Sequence, residues 1–106
     1  MSFPRGHFGR ESYEEDFTFT GTVEILAAPG ASRAYIIRTL TLSSDLDFVA
    51  SLRSAATRKG PKLWVNGPGG ASLSDMEIRL GYNEAFNIAF TGGGDGSVYV
   101  EYEIAG

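Results

Sequence analysis

The sequence predicts an all-β domain, an antiparallel β-sandwich or a small barrel, and three observations carry that reading. Apolar residues recur at every second position in several short stretches. Glycine and proline punctuate those stretches at short intervals. No stretch holds helical spacing between recognisable caps. In 106 residues there is room for one domain of this kind. Only two packed layers bury so many one-sided strands.

The elements follow from Phe17. In "FTFTGTVEIL", Phe17, Phe19, Val23 and Ile25 point one way and Thr18, Thr20, Thr22 and Glu24 the other, which predicts one strand. "APGAS" is a turn, and "RAYIIRTLTL", apolar on both faces, is a central strand. Leu46, Phe48, Ala50 and Leu52 form one face of the next strand. A helix over "DFVASLRSAATR" is the second choice there, because "TRKGP" truncates it. "AATRKGPK" reads as a basic loop, "LWV" as a short strand and "NGPGGAS" as a glycine loop. Met76, Ile78 and Leu80 face inward, as do Phe86, Ile88 and Phe90. In the last strand Val98, Val100, Tyr102 and Ile104 oppose Tyr99, Glu101 and Glu103.

The glycine tract in "FTGGGDGSVYVEYEI" decides between a nucleotide enzyme and a bend. A phosphate loop needs a lysine and a serine or threonine after the glycines, then a helix whose first amides face the anion. Here a lysine-free strand follows, so the tract reads as a hairpin connection.

Residues 1–16 are rich in glycine and charge, with aromatics at no regular period, and are expected to form an extended arm ahead of a domain at 17–106. Such an arm spans up to about 50 Å. The chain has no cysteine, hence no disulfide or thiolate site. It has no apolar run long enough for a membrane helix, and its start lacks the hydrophobic core of a secretory signal.

A net charge of −4 argues against general nucleic-acid binding. Charge is unevenly spread. Residues 33–62 hold six cations against Asp45 and Asp47, whereas 63–106 hold Arg79 against six acids. The basic part would suit an acidic partner surface or the acidic side of another copy.

Little here resembles catalytic chemistry. His7 is the single histidine and lies in the arm; Glu14, Glu15 and Asp16 are adjacent acids on an exposed stretch. No nucleophile, base and oxyanion hole converge, so no catalytic, metal or cofactor residue is assigned and no enzyme is expected. Trp64, the only tryptophan, is read first as core and second as an interface or sugar-stacking residue.

The order "VEILAAPGASRAYIIRTLTLSS", a glycine loop, then "GYNEAFNIAFTGGGDGSVYVEYEI" resembles the small β-sandwich structural proteins of tailed-bacteriophage virions. The matching pieces are Ala28 to Ala31, Leu40 to Ser43, Asn83 to Ile88 and Ser97 to Tyr102, within residues 22–104. The resemblance implies a jelly-roll-like sandwich of seven to eight strands and a head decoration (cement) or head-fibre role. It also implies a place on the outer surface of the phage head after synthesis in the host cytoplasm. Its expected partners are the major capsid protein and further copies of itself, as a homotrimer. On that view Phe3, Phe8, Arg10, Tyr13, Arg58, Lys59 and Trp64 are the candidate contacts with capsid or neighbouring subunit. The alternatives are a neck or tail component, and a carbohydrate-binding sandwich using Trp64, Tyr82 or Tyr99.

Overall fold

The structure is a computed structural model that describes residues 10–18, 21–92 and 94–106, without the side chain of Phe17. Nine strands follow in order: β1 Glu11–Thr18, β2 Gly21–Leu26, β3 Ala34–Ser44, β4 Phe48–Ser54, β5 Thr57–Val65, β6 Gly69–Leu73, β7 Ile78–Arg79, β8 Phe86–Gly92 and β9 Asp95–Ala105. Among the described residues there is no helix.

Two antiparallel sheets result. The first, sheet A, runs β1-β9-β3-β6, with β7 also pairing β3; the second, sheet B, runs β2-β8-β4-β5. The pairs β1·β9, β2·β8, β3 with β6 and β7, and β4·β5 nest inside one another. The chain is thus one long antiparallel ribbon whose tip is the β4–β5 turn. Rolling that ribbon sends most connections from one sheet to the other, which is jelly-roll topology.

Alternating apolar residues from both sheets close the core. Ile37, Leu40, Leu42, Val98 and Val100 of sheet A face Leu52, Phe86 and Ile88 of sheet B, all at 1% exposure or less. Each such side chain contributes about 1.5–3 kcal/mol by leaving water. Tyr35 and Tyr102 meet edge-to-face at 5.4 Å between ring centres, and the Tyr35 hydroxyl donates to the Ala27 carbonyl.

Several expectations change, each for a physical reason. The single strand expected over residues 17–26 is two, because β1 lies in sheet A and β2 in sheet B. Most of the expected arm that is described is strand. β1 runs through the boundary at residue 16 and pairs β9 from Glu11↔Tyr102 to Thr18↔Asp95, covering what would otherwise be a bare edge. The helix alternative over 47–58 is excluded by β4.

The glycine tract is not a hairpin. β8 and β9 belong to different sheets, and the tract carries the chain between them. Gly92 has φ of +78°, and a side chain there would lie 2.9 Å from the Asp47 carbonyl, where a second crossing passes. Ser44 holds that end together, its Oγ accepting from the amides of Leu46 and Gly94 at 3.2 Å each. Leu46, expected to share a face with Phe48, lies in that crossing and is 57% exposed.

The basic loop is largely strand. β4 and β5 are joined by Ala55–Ala56 alone, with Ser54 opposite Thr57. β5 is an edge strand, where charge and a proline lacking its amide are tolerated. Gly60, at φ +81°, sits in the bulge where the register shifts between Ser51 and Arg53. Part of "NGPGGAS" is β6 rather than loop.

Candidate functional site: the outer face of sheet B

Register determines which side chains share the outside of sheet B. Leu63 and Val65 of β5 are buried, so Lys62 and Trp64, which alternate with them, face outward. Three cross-strand rows follow. Trp64 stands beside Val49 and Thr91; Lys62 beside Ser51 and Ala89; Arg58 beside Arg53 and Asn87. The face therefore runs from an aromatic end, near the crossings, to an arginine end beside the β4–β5 turn.

Trp64 is 75% exposed, which overturns its reading as core: Leu63 and Val65 already fill the inward positions of that strand. Beside it is a hollow of about 300 Å³ lined by Asp47, Val49, Asn66 and Thr91 among others. A second hollow, about 480 Å³, lies at the arginine end, where Thr22, Ala55, Ala85 and Ala89 leave room beside Arg53 and Asn87.

Arg53 and Arg58 are directly opposed across the ladder. At such positions Cβ atoms lie about 5 Å apart and like charges destabilise. Each guanidinium is tethered by one bond to a backbone carbonyl, Arg53 Nη1 to Ala56 at 3.0 Å and Arg58 Nε to Gly60 at 3.3 Å. The ion pairs among the described residues, Arg10–Glu101, Arg38–Glu77 and Arg38–Glu103, include neither arginine, nor Lys62. Two acids border this face: Asp47 lies by Trp64 at the far end, and Glu24 is in the row of Arg53 but two strands away, at about 10 Å. Two polar atoms of the face, Ser51 Oγ and Arg53 Nε, are buried without a hydrogen-bond partner among the described residues.

The outer face of sheet A has the opposite character. Ser43 meets Ser97 and Thr41 meets Ser72, both at 2.9 Å. Three of its acids are matched: Glu101 accepts from Tyr99 at 2.7 Å and from Arg10 at 3.3 Å, and Arg38 holds Glu103 and Glu77. The hydrogen bond from Tyr99 is the main reason that the Glu101 carboxyl sits below its ordinary 4.5, and the same bond raises the Tyr99 phenol above 10.0. At the crossing end a shallow depression collects Asp16, Asp45 and Asp95. Among the described residues no group of three His, Cys, Asp or Glu is placed to hold a metal ion.

Of the seven candidate contact residues, Arg58 and Trp64 share the sheet B face. Lys59, half-buried, is the neighbour of Arg58 and by alternation belongs to the other side of the strand. Arg10 is engaged with Glu101, and Tyr13 packs against the core at the β1 edge. Phe3 and Phe8, with His7, lie outside the described residues. Of the sugar-stacking alternatives, Tyr82 is exposed in the β7–β8 connection and Tyr99 lies on sheet A, so neither joins Trp64. Arg53 completes the cationic end. The signal for it was the Ala-Ala turn, since residues 53 and 58 around a two-residue turn must face each other.

No protein-family profile and no curated protein matches the chain. Solved structures do show likeness. One is reported under "Bacillus endospore appendages form a novel family of disulfide-linked pili", with 14% identity, TM-score 0.49 and 96% of each chain covered. Another is the CBM36-1 domain of a multidomain xylanase from the hindgut metagenome of Trinervitermes trinervoides, with 19% identity, TM-score 0.38, and 95% of this chain and 73% of that one covered. A third is from the cyanophage Pam1 capsid asymmetric unit, with 17% identity, TM-score 0.38, and 98% and 91% covered. At such identities and scores no function passes from these proteins to this chain.

Proposed function

We propose that this chain is a non-enzymatic structural protein of a phage virion, a decoration (cement) protein that binds the outside of the assembled head. The carrying observation is the outer face of sheet B. Trp64 is 75% exposed there beside Arg53, Arg58 and Lys62, none of which is in an ion pair among the described residues. A large apolar side chain and uncompensated like charge on one side of a small domain fit attachment to an acidic protein surface. The resemblance of residues 22–104 to phage structural sandwiches supports the capsid as that surface. Copies grouped as a trimer, each binding weakly, would attach tightly in sum. Binding only the assembled lattice stabilises it by mass action.

Co-sedimentation of the full chain with phage shells tests the reading. Trp64→Ala should lower shell occupancy about tenfold while leaving the fold unchanged by circular dichroism. Occupancy unaffected by Trp64→Ala would remove the sheet B face from the mechanism. Labelling at a single vertex, rather than over the whole shell, would reassign the chain to the neck or tail.

A second reading has its own observation: Trp64 borders a hollow carrying Asp47 and Asn66, which suits a sugar ring stacked on the indole. Binding on a glycan array, lost in Trp64→Ala, together with silent shells would favour it.

A further inference from the structure

The arginine end of sheet B has the features of a carboxylate site. Arg53 and Arg58 oppose each other on adjacent strands, each fixed by a bond to a backbone carbonyl. That tether costs each guanidinium one N–H and leaves the other donors for a ligand. The hollow beside Arg53 is floored by alanines and Thr22, so nothing bulky fills the space next to the charge. Ser51 is only 6% exposed, yet its Oγ has no partner, and Arg53 Nε is likewise buried without an acceptor. Lys62, one row along, extends the positive file toward Trp64.

We infer that this pair is a binding site for carboxylates, and that its occupant is an acidic segment of another protein. This rests on the attachment face proposed above and names the chemistry its partner must bring. Two like charges held opposite each other destabilise the free domain, and an oxygen acceptor lying between them reverses the sign of that contact. A planar carboxylate also matches the fork geometry of guanidinium. A second copy is a poorer occupant than a foreign protein. On the sheet A face that it would offer, Glu101 is taken by Arg10 and Glu103 and Glu77 by Arg38, which leaves Glu14 and Asp16 of β1 outside the ion pairs among the described residues. Moreover, opposite faces of a slab generate an open row rather than a closed assembly.

Trp64 gives the test its signal, being the only tryptophan and lying on the same face. Poly-L-glutamate titrated into the full chain should change the tryptophan emission saturably, and 0.5 M salt should weaken the effect. Arg53→Gln and Arg58→Gln should each weaken binding at least about fivefold, and Arg33→Gln, on another part of the surface, should not. The free Arg58→Gln domain should also melt at a slightly higher temperature, because the like-charge opposition is gone. No response to poly-L-glutamate, equal weakening by Arg33→Gln, or tighter binding of inorganic polyphosphate would overturn the assignment. So would salt-sensitive self-association that either glutamine variant abolishes, which would make the occupant a second copy. No shells enter this assay, so poly-L-glutamate binding without shell binding would uphold the pair and remove the capsid reading.

Discussion

Arg38 grips Glu103 through two parallel hydrogen bonds, Nε to Oε2 at 3.1 Å and Nη2 to Oε1 at 3.2 Å, while its Nη1 reaches Glu77 at 3.2 Å. The grip depends on a bulge. Between Ile37 and Thr39 the register of β3 against β9 shifts by one, so Arg38 and Thr39 both leave the core while Ile37 and Leu40 stay in it. Three strands, β3, β9 and the start of β7, are tied at that point. Arg38→Gln should lower stability by about 1 kcal/mol in urea unfolding. Arg38→Lys should recover little of it, because an ammonium cannot form the fork. A lysine variant as stable as the parent would show that charge alone matters there.

Glu101 gives the domain an acid limit. Tyr99, then Thr39 and Arg10, hold its carboxyl below the ordinary 4.5. The unfolded chain therefore takes up its proton at a higher pH than the folded one. The contribution is fully present above the unfolded value and is lost as the pH falls through the lowered folded value. Glu101→Gln should lose less stability than the parent between about pH 6 and pH 3 in thermal melts. For Tyr99 the sign is reversed. Its phenol is raised above 10.0 mainly by the bond to Glu101, so its share is present below that value and lost as the pH rises through the raised one. Tyr99→Phe should flatten the alkaline side.

Ser54 is fully buried and ties the end of β4 to the β7–β8 connection. Its Oγ accepts from the Gly81 amide at 2.9 Å and donates to Glu84 Oε1 at 2.5 Å. Ser54→Ala leaves an amide and a carboxylate oxygen without their partner. The expected cost is about 1–3 kcal/mol. Faster amide hydrogen exchange at Gly81, with little change in the β1–β9 ladder, would place the loss locally. Uniform loosening of both sheets would contradict it.

The two-residue turn that forms the arginine end begins with Ala55 at φ +51°. A left-handed backbone costs an alanine about 1 kcal/mol and a glycine almost nothing. Part of that gain is offset by the extra freedom of glycine in the unfolded chain. Ala55→Gly should still raise stability by about 0.5 kcal/mol and leave poly-L-glutamate binding intact. A loss of stability would mean that the turn is not strained.

Much of the fold was legible because strand period and side-chain chemistry are local. The alternation of Val98, Val100 and Tyr102 against Tyr99, Glu101 and Glu103 predicted both faces of β9 correctly. Phe86, Ile88 and Phe90 gave the buried face of β8 in the same way. Alternation fails where the chain changes sheets. "FTFTGTVEIL" keeps its rhythm across the passage from β1 to β2, so nothing in it reveals that two strands are present. The basic stretch failed differently. Charge and proline are the usual marks of a loop, but an edge strand carries them equally well, as β5 does.

The sequence by itself determined that the chain is all-β, which residues alternate, and that its glycine tract lacks the partners of a phosphate loop. The tertiary structure decided which strands are neighbours, and hence that Trp64 is outside and that Arg53 faces Arg58. The reason is physical. A side chain's direction along a strand follows from its neighbours in sequence. What stands beside it follows from hydrogen-bonded pairing with residues far away, and only closure of the core fixes that pairing.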